Sequence, residues 1–159
     1  MVNAQTSDLE IDVNGETHQV EADPETPLLF VLRNELELNA AKAGCAAAQC
    51  GACTVLQDGE PIRSCVTPVS DIGEAEIVTL EGLGSPDDMH PIQQAFLDEQ
   101  AAQCGYCIPG MMMTATALLE ENPQPTEDEI REGLADNLCR CGSHIRIVKA
   151  VQQAAESAN

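Results

Sequence analysis

From residue 9 the chain alternates apolar and polar side chains (LEIDV), pauses at Asn14-Gly15 and resumes the alternation over residues 18–21. Alternation with period two marks a half-buried strand. Asn-Gly suits the two positive-φ positions of a type I′ turn, so a hairpin is predicted. Pro27 then opens PLLFVLRNEL, whose apolar residues recur at helical spacing from Leu28 to Leu36. Proline is tolerated there because the first turn of a helix has no partner for its missing N–H. Period two returns at Cys53-Thr54-Val55-Leu56, breaks at Asp58-Gly59, and continues over residues 62–66 and 76–80, predicting three more strands, the second carrying Cys65. GLGSPDD, residues 82–88, is punctuated by turn formers. Beyond it apolar positions recur at about 3.6 residues. Four helices are predicted there, over residues 91–100, 109–121, 127–137 and 143–156. Ser85 or Asp88 is the expected cap of the first, with Pro91 in its opening turn, and Thr126 with Glu129 forms a capping box for the third. Asn122-Pro123-Gln124-Pro125 separates the second helix from the third, and residues 157–159 read as a frayed tail. No internal repeat of fixed period occurs.

Strands followed by helices across a linker predict an α+β chain in two units, residues 1–82 and residues 83–159. Both cores must be thin. Of 159 residues only Tyr106, Phe30 and Phe96 are aromatic. Small domains with thin cores need staples, and bound metal is one such staple. Charge narrows the partners. The net charge is −20, from 27 acids against 7 bases, a surface that repels nucleic acid and anionic membrane. The acids are spread along the chain, which favours a high-salt surface over a patch for a basic partner. No apolar run is long enough to span a bilayer, so no direct membrane insertion is expected. Residues 1–7 are polar and lack the apolar centre of a signal peptide, so a reducing compartment is expected.

Eight cysteines supply the staple. Cys45, Cys50 and Cys53 are spaced C-x4-C-x2-C, and Cys65 follows after 11 residues. This is the plant-type spacing for a [2Fe–2S] cluster, with three thiolates on one tight loop and a fourth farther on. Strands wrapped around one helix, with such a loop beside it, look like a ferredoxin of the β-grasp type. Cys104 and Cys107 form C-x2-C between the first two predicted helices, and Cys139 and Cys141 form C-x-C between the last two. If these helices make two antiparallel hairpins side by side, a four-helix bundle, both loops meet at one end and four thiolates converge. Helix starts near Pro109 and Ser143 then aim positive dipole ends at a negative site. Two other readings stand beside this one. Disulfides would suit a secreted chain. Structural zinc also takes four thiolates, though three ligands within nine residues (45–53) fit it poorly. A Rieske centre needs two histidines within the cysteine pairs, and His18, His90 and His144 do not sit so.

QCGYCIPGMM (residues 103–112) and NLCRCG (residues 137–142), downstream of GCAAAQCGACTV, resemble the two-cluster iron–sulfur subunit of the xanthine oxidase family of molybdenum hydroxylases. The resemblance runs from about Leu9 to Ala155, and all eight cysteines find a counterpart. AQCGAC with CRCGSHIRI is most similar to small subunits of the isoquinoline 1-oxidoreductase, nicotinate dehydrogenase and aldehyde oxidoreductase branch. The resemblance implies an N-terminal β-grasp ferredoxin domain and a C-terminal four-helix bundle. It implies that Cys45, Cys50, Cys53 and Cys65 hold an outer cluster. Cys104, Cys107, Cys139 and Cys141 then hold an inner one beside a molybdopterin cofactor, of the cytosine dinucleotide form, on a large partner subunit. Gln103 lies on the pterin side and Cys141 hydrogen-bonds the pterin. Electrons then run from an aldehyde or N-heterocycle through the molybdenum site and both clusters to an acceptor, a cytochrome or another carrier, rather than to a flavin subunit. Assembly belongs in the cytoplasm, with the partner able to carry the complex to the periplasm or membrane. Three positions depart from the family's common forms. Ala46 replaces a usual Gly, and Ser143-His144 a usual Thr-Tyr.

Other features have plainer explanations. Met111-Met112-Met113 reads as adaptable packing at a helix start. Glu120-Glu121 and Glu127–Glu129 read as solvated faces, and Lys42 and Arg140 as either surface charges or counter-charges to a cluster. A zinc-stapled interaction module and a free-standing ferredoxin-like carrier are the competing functions.

Overall fold

The structure, a computed structural model, describes residues 6–157. The polar opening stretch is thus seen only from Thr6, and residues 158–159 of the expected frayed tail lie outside the described residues. Two strands, β1 (Ser7–Val13) and β2 (Glu16–Ala22), form the expected hairpin. Asn14 and Gly15 at its tip have φ of 54° and 77°, the double positive φ of a type I′ turn. Helix α1 (Leu28–Asn34) follows, then an irregular segment, then β3 (Thr54–Gln57), β4 (Glu60–Arg63) and β5 (Glu76–Val78). The sheet order is β2-β1-β5-β3-β4, with β1 and β5 parallel and every other pair antiparallel. α1 lays Leu28, Leu29 and Leu32, each 0% exposed, against Ile11, Val13, Val55 and Ile77 of the sheet. Full burial of such side chains contributes about 1.5–3 kcal/mol each.

The rest is helical: α2 (Leu80–Leu83), α3 (Pro91–Asp98), α4 (Ile108–Glu121), α5 (Glu127–Gly133) and α6 (His144–Ser157). α3 packs against α6, and α4 contacts α3, α5, β3 and β4. A second core, separate from the sheet's, gathers Ile92, Phe96, Met111, Ile130, Ile147 and Val151. The whole is a mixed α/β structure with a five-stranded sheet and six helices among the described residues.

The structure differs from expectation in four places. The strand predicted to carry Cys65 ends at Arg63. Beyond it the chain turns to meet the start of α1, whose Leu29 and Leu28 N–H groups donate to Ser64 and Thr67 carbonyls (3.0 and 2.8 Å). Cys65 therefore sits in a turn tied to a helix. The short helix α2 has no sequence period to betray it. α3 is capped by His90, whose ring accepts from the Ile92 N–H while the Gln93 side chain bonds back to the His90 N–H. Ser85 and Asp88 pair with each other instead. α5 stops at Gly133, four residues early, because the next stretch leaves to contact the cysteine loop, where the Leu138 N–H donates to the Cys50 carbonyl at 3.0 Å. The Thr126–Glu129 capping box is present as expected.

Candidate metal centre

The first cysteine loop leaves α1 and returns to β3 without regular structure. Ala46, Ala48 and Gly51 all take positive φ, at 53°, 59° and 73°. This winding turns backbone N–H groups inward. Ala47, Gln49 and Cys50 donate to the Cys45 sulfur at 3.3–3.4 Å, and Cys45 donates to the Cys50 sulfur at 3.3 Å. Those donors, Ala47 first, hold the Cys45 thiol down at about 7. A ring of amides of this kind offsets the negative charge of a thiolate site. Gly44 is required for closeness, since a Cβ there would lie 2.5 Å from the Cys50 sulfur. Cys53 and Cys65 are buried behind the loop. Burial pushes the Cys53 thiol up to about 11. The Ser64 hydroxyl donates to the Cys53 carbonyl at 2.6 Å, joining the Cys65 turn to β3.

The second set forms between helices. Cys107 is the N-cap residue of α4, Cys104 lies three residues earlier, and Cys139 and Cys141 occupy the α5–α6 connection. Burial pushes the Cys107 thiol up to about 12, with Cys139 beside it adding to the effect. Cys139 behaves oppositely. Burial raises it, but the Ser143 hydroxyl, 3.4 Å away, and the backbone N–H groups of Ser143 and Cys141 outweigh that and hold it at about 7. Ser143 thus keeps the hydroxyl role that its position next to α6 allows, while the neighbouring His144 is exposed.

In each set the thiols lie near one another. Cys45 neighbours Cys50, Cys53 neighbours Cys65 and feels Cys50, Cys104 neighbours Cys141 and feels Cys139, and Cys107 neighbours Cys139 and feels Cys104. A diiron cluster takes two thiolates on each of two irons, and four neighbouring thiols in each set are a donor set that fits it. All eight cysteines are free of disulfides.

The two loops touch. The Leu138 N–H donates to the Cys50 carbonyl, Asn137 Nδ2 to the Gly51 carbonyl (3.4 Å) and the Tyr106 hydroxyl to the Ala43 carbonyl (2.6 Å). Gly110 of α4 packs so tightly on the first loop that a Cβ would lie 2.0 Å from the Gly51 oxygen. A cavity of about 240 Å³ is lined by both sets, including Cys45, Cys50, Cys104, Cys107, Cys139 and Arg140. Lys42, in contrast, spends its ammonium on the Asn39 and Ala40 carbonyls. Gln103 is exposed, Cys141 is half-buried, and the three Met residues 111–113 are buried in packing. The sequence gives no sign of the cross-loop roles of Tyr106, Asn137 and Gly110, because each depends on how stretches far apart in the chain meet.

The chain matches two families: a 2Fe-2S iron-sulfur cluster binding domain over residues 11–77 and a [2Fe-2S] binding domain over residues 79–152. It is 55% identical to a nicotinate dehydrogenase subunit from Pseudomonas putida, over 94% of this chain and 95% of that one. It is 40% identical to the aldehyde oxidoreductase of Megalodesulfovibrio gigas, over 94% of this chain but 17% of that one. Among solved structures, quinoline 2-oxidoreductase from Pseudomonas putida 86 superimposes with a TM-score of 0.92 at 37% identity, over 97% of this chain and 96% of that one.

Proposed function

Because this chain belongs to the iron–sulfur subunits of the xanthine oxidase family of molybdenum hydroxylases, we propose that its eight thiols divide by function as they divide in space. Cys45, Cys50, Cys53 and Cys65 hold one [2Fe–2S] cluster, and Cys104, Cys107, Cys139 and Cys141 the other. The observation that supports this reading is that each of the two matched [2Fe-2S] binding domains, residues 11–77 and 79–152, contains one set of four cysteines whose thiols lie near one another. When bound, each cluster accepts and releases one electron. The chain's own part is to position the sulfurs, to meet their charge with the amides of residues 45–50 and the Ser143 hydroxyl, and to keep Cys53, Cys65 and Cys107 from water.

The chain is the electron-transfer component of an oxidoreductase complex. We place the molybdopterin cofactor, in its cytosine dinucleotide form, on a large partner subunit, with Gln103 and Cys141 on the face turned towards it. Two observations support this. Both residues retain solvent access at the end where the second thiol set lies. In the M. gigas relative the matching part is 17% of a much longer chain. The substrate class is an aldehyde or N-heterocycle, and the acceptor a cytochrome or similar carrier. Division into a β-grasp domain, residues 1–82, and a four-helix bundle, residues 83–159, is supported by the two separate cores. Assembly in the cytoplasm accords with eight free cysteines. Among the described residues no helix is long and apolar enough to cross a membrane.

The test is iron and acid-labile sulfide content of the native complex together with low-temperature EPR after reduction. Two distinct diiron signals are expected. A colourless chain holding only zinc overturns the reading.

A further inference from the structure

Tyr106 stands between Cys104 and Cys107 and contributes to both cysteine sets, by different atoms. Its backbone N–H faces the Cys104 sulfur. Its ring, 47% exposed, reaches across the cavity between the loops, and its hydroxyl donates to the Ala43 carbonyl at 2.6 Å. Ala43 begins the short run Ala43-Gly44-Cys45 that is pressed onto the Cys50 sulfur. Gly44 leaves no room there for a Cβ, and the Cys45 N–H donates to that sulfur at 3.3 Å. On its other side the run is held by the Lys42 N–H, bonded to the Ala52 carbonyl at 2.9 Å. The Tyr106 hydroxyl is therefore the fastening on the Ala43 carbonyl that keeps this strip of backbone against Cys50. No other side-chain bond joins residues 104–107 to the first loop among the described residues.

We propose that Tyr106 is a positioning residue through which the second cysteine loop sets the sulfur environment, and hence the reduction potential, of the first. The inference rests on the assignment of a diiron cluster to each cysteine set. Reduction adds negative charge, which N–H groups aimed at sulfur stabilise. Without the hydroxyl the Ala43 carbonyl turns to water, the Cys45 N–H drifts from the Cys50 sulfur, and the first centre becomes harder to reduce. Tyr106→Phe removes only this bond, because the ring remains and the backbone N–H at Cys104 is untouched.

The experiment is EPR-monitored redox potentiometry of the native complex carrying Tyr106→Phe. The signals are assigned by their separate loss in Cys50→Ser and Cys139→Ser. The expected result is a lower midpoint for the first-set signal, an unmoved midpoint for the second, and unchanged iron content and complex assembly. If each Cys variant removes its own signal and Tyr106→Phe moves neither midpoint, or only the second, this inference fails while the cluster assignment stands. If the Cys variants do not each remove one signal, the cluster assignment fails and takes this inference with it.

Discussion

Ala46 carries a side chain at φ 53°. The left-handed region costs a non-glycine residue about 1–2 kcal/mol. A glycine would lose more freedom on folding, which offsets part of the gain. Ala46→Gly is expected to stabilise the chain by about 0.5–1 kcal/mol. A melting curve checks it, and an unchanged or lowered midpoint contradicts the strain. The residue's identity could be read from sequence, but its φ could not, because the loop's winding follows from the sulfurs it must surround. The cysteines are the reverse case. Their spacing named both sets at once, while the neighbours within each set needed coordinates.

At the scale of elements, two joints decide how the loops are held. α4 meets the first cysteine loop through Gly110, where an added Cβ would strike the Gly51 oxygen. Gly110→Ala overpacks that joint and should cost about 1–3 kcal/mol. For a chain of this size that lowers the melting midpoint by about 2–4 °C per kcal/mol. A midpoint equal to that of the unaltered chain contradicts the contact. α3 depends on His90, whose ring nitrogen must be unprotonated to accept from the Ile92 N–H. Burial lowers its pKa below the ordinary 6.5, with Glu120 opposing. A histidine with a depressed folded pKa stabilises fully above its unfolded pKa, and that stabilisation is lost as pH falls from 6.5 through the lower folded value. His90→Asn keeps a capping acceptor that does not titrate in this range. The unaltered chain is expected to lose more melting temperature than His90→Asn on acidification across that window. Equal losses contradict the role of His90.

Local chemistry made most elements readable, and tertiary contacts account for the misses. Asn-Gly and Asp-Gly marked the two type I′ turns, where Asn14 and Gly15, then Asp58 and Gly59, take positive φ. Thr126 with Glu129 marked the start of α5. The chain at Cys65 and the end of α5 depart from the sequence pattern because Ser64 bonds to α1 and Leu138 to Cys50, partners far away in sequence.

For the whole molecule, charge contributes little cohesion. The ion pair seen among the described residues, Arg131 with Glu127 at 2.5 Å, is half exposed and spans one helical turn, an arrangement that contributes only tenths of a kcal/mol, about 0.3–0.5. With acids in such excess and two thin cores, the cluster binding proposed for the two thiol sets would become part of folding itself. The Tyr106, Asn137 and Leu138 contacts then make one body of the sheet and the helices around those sets.

The most direct test of this account is low-temperature EPR of the reduced native complex, compared among the unaltered chain, Cys50→Ser and Cys139→Ser. Two diiron signals in the first, with a different one missing from each variant, is the predicted result. An iron-free chain, or both signals surviving in either variant, contradicts it.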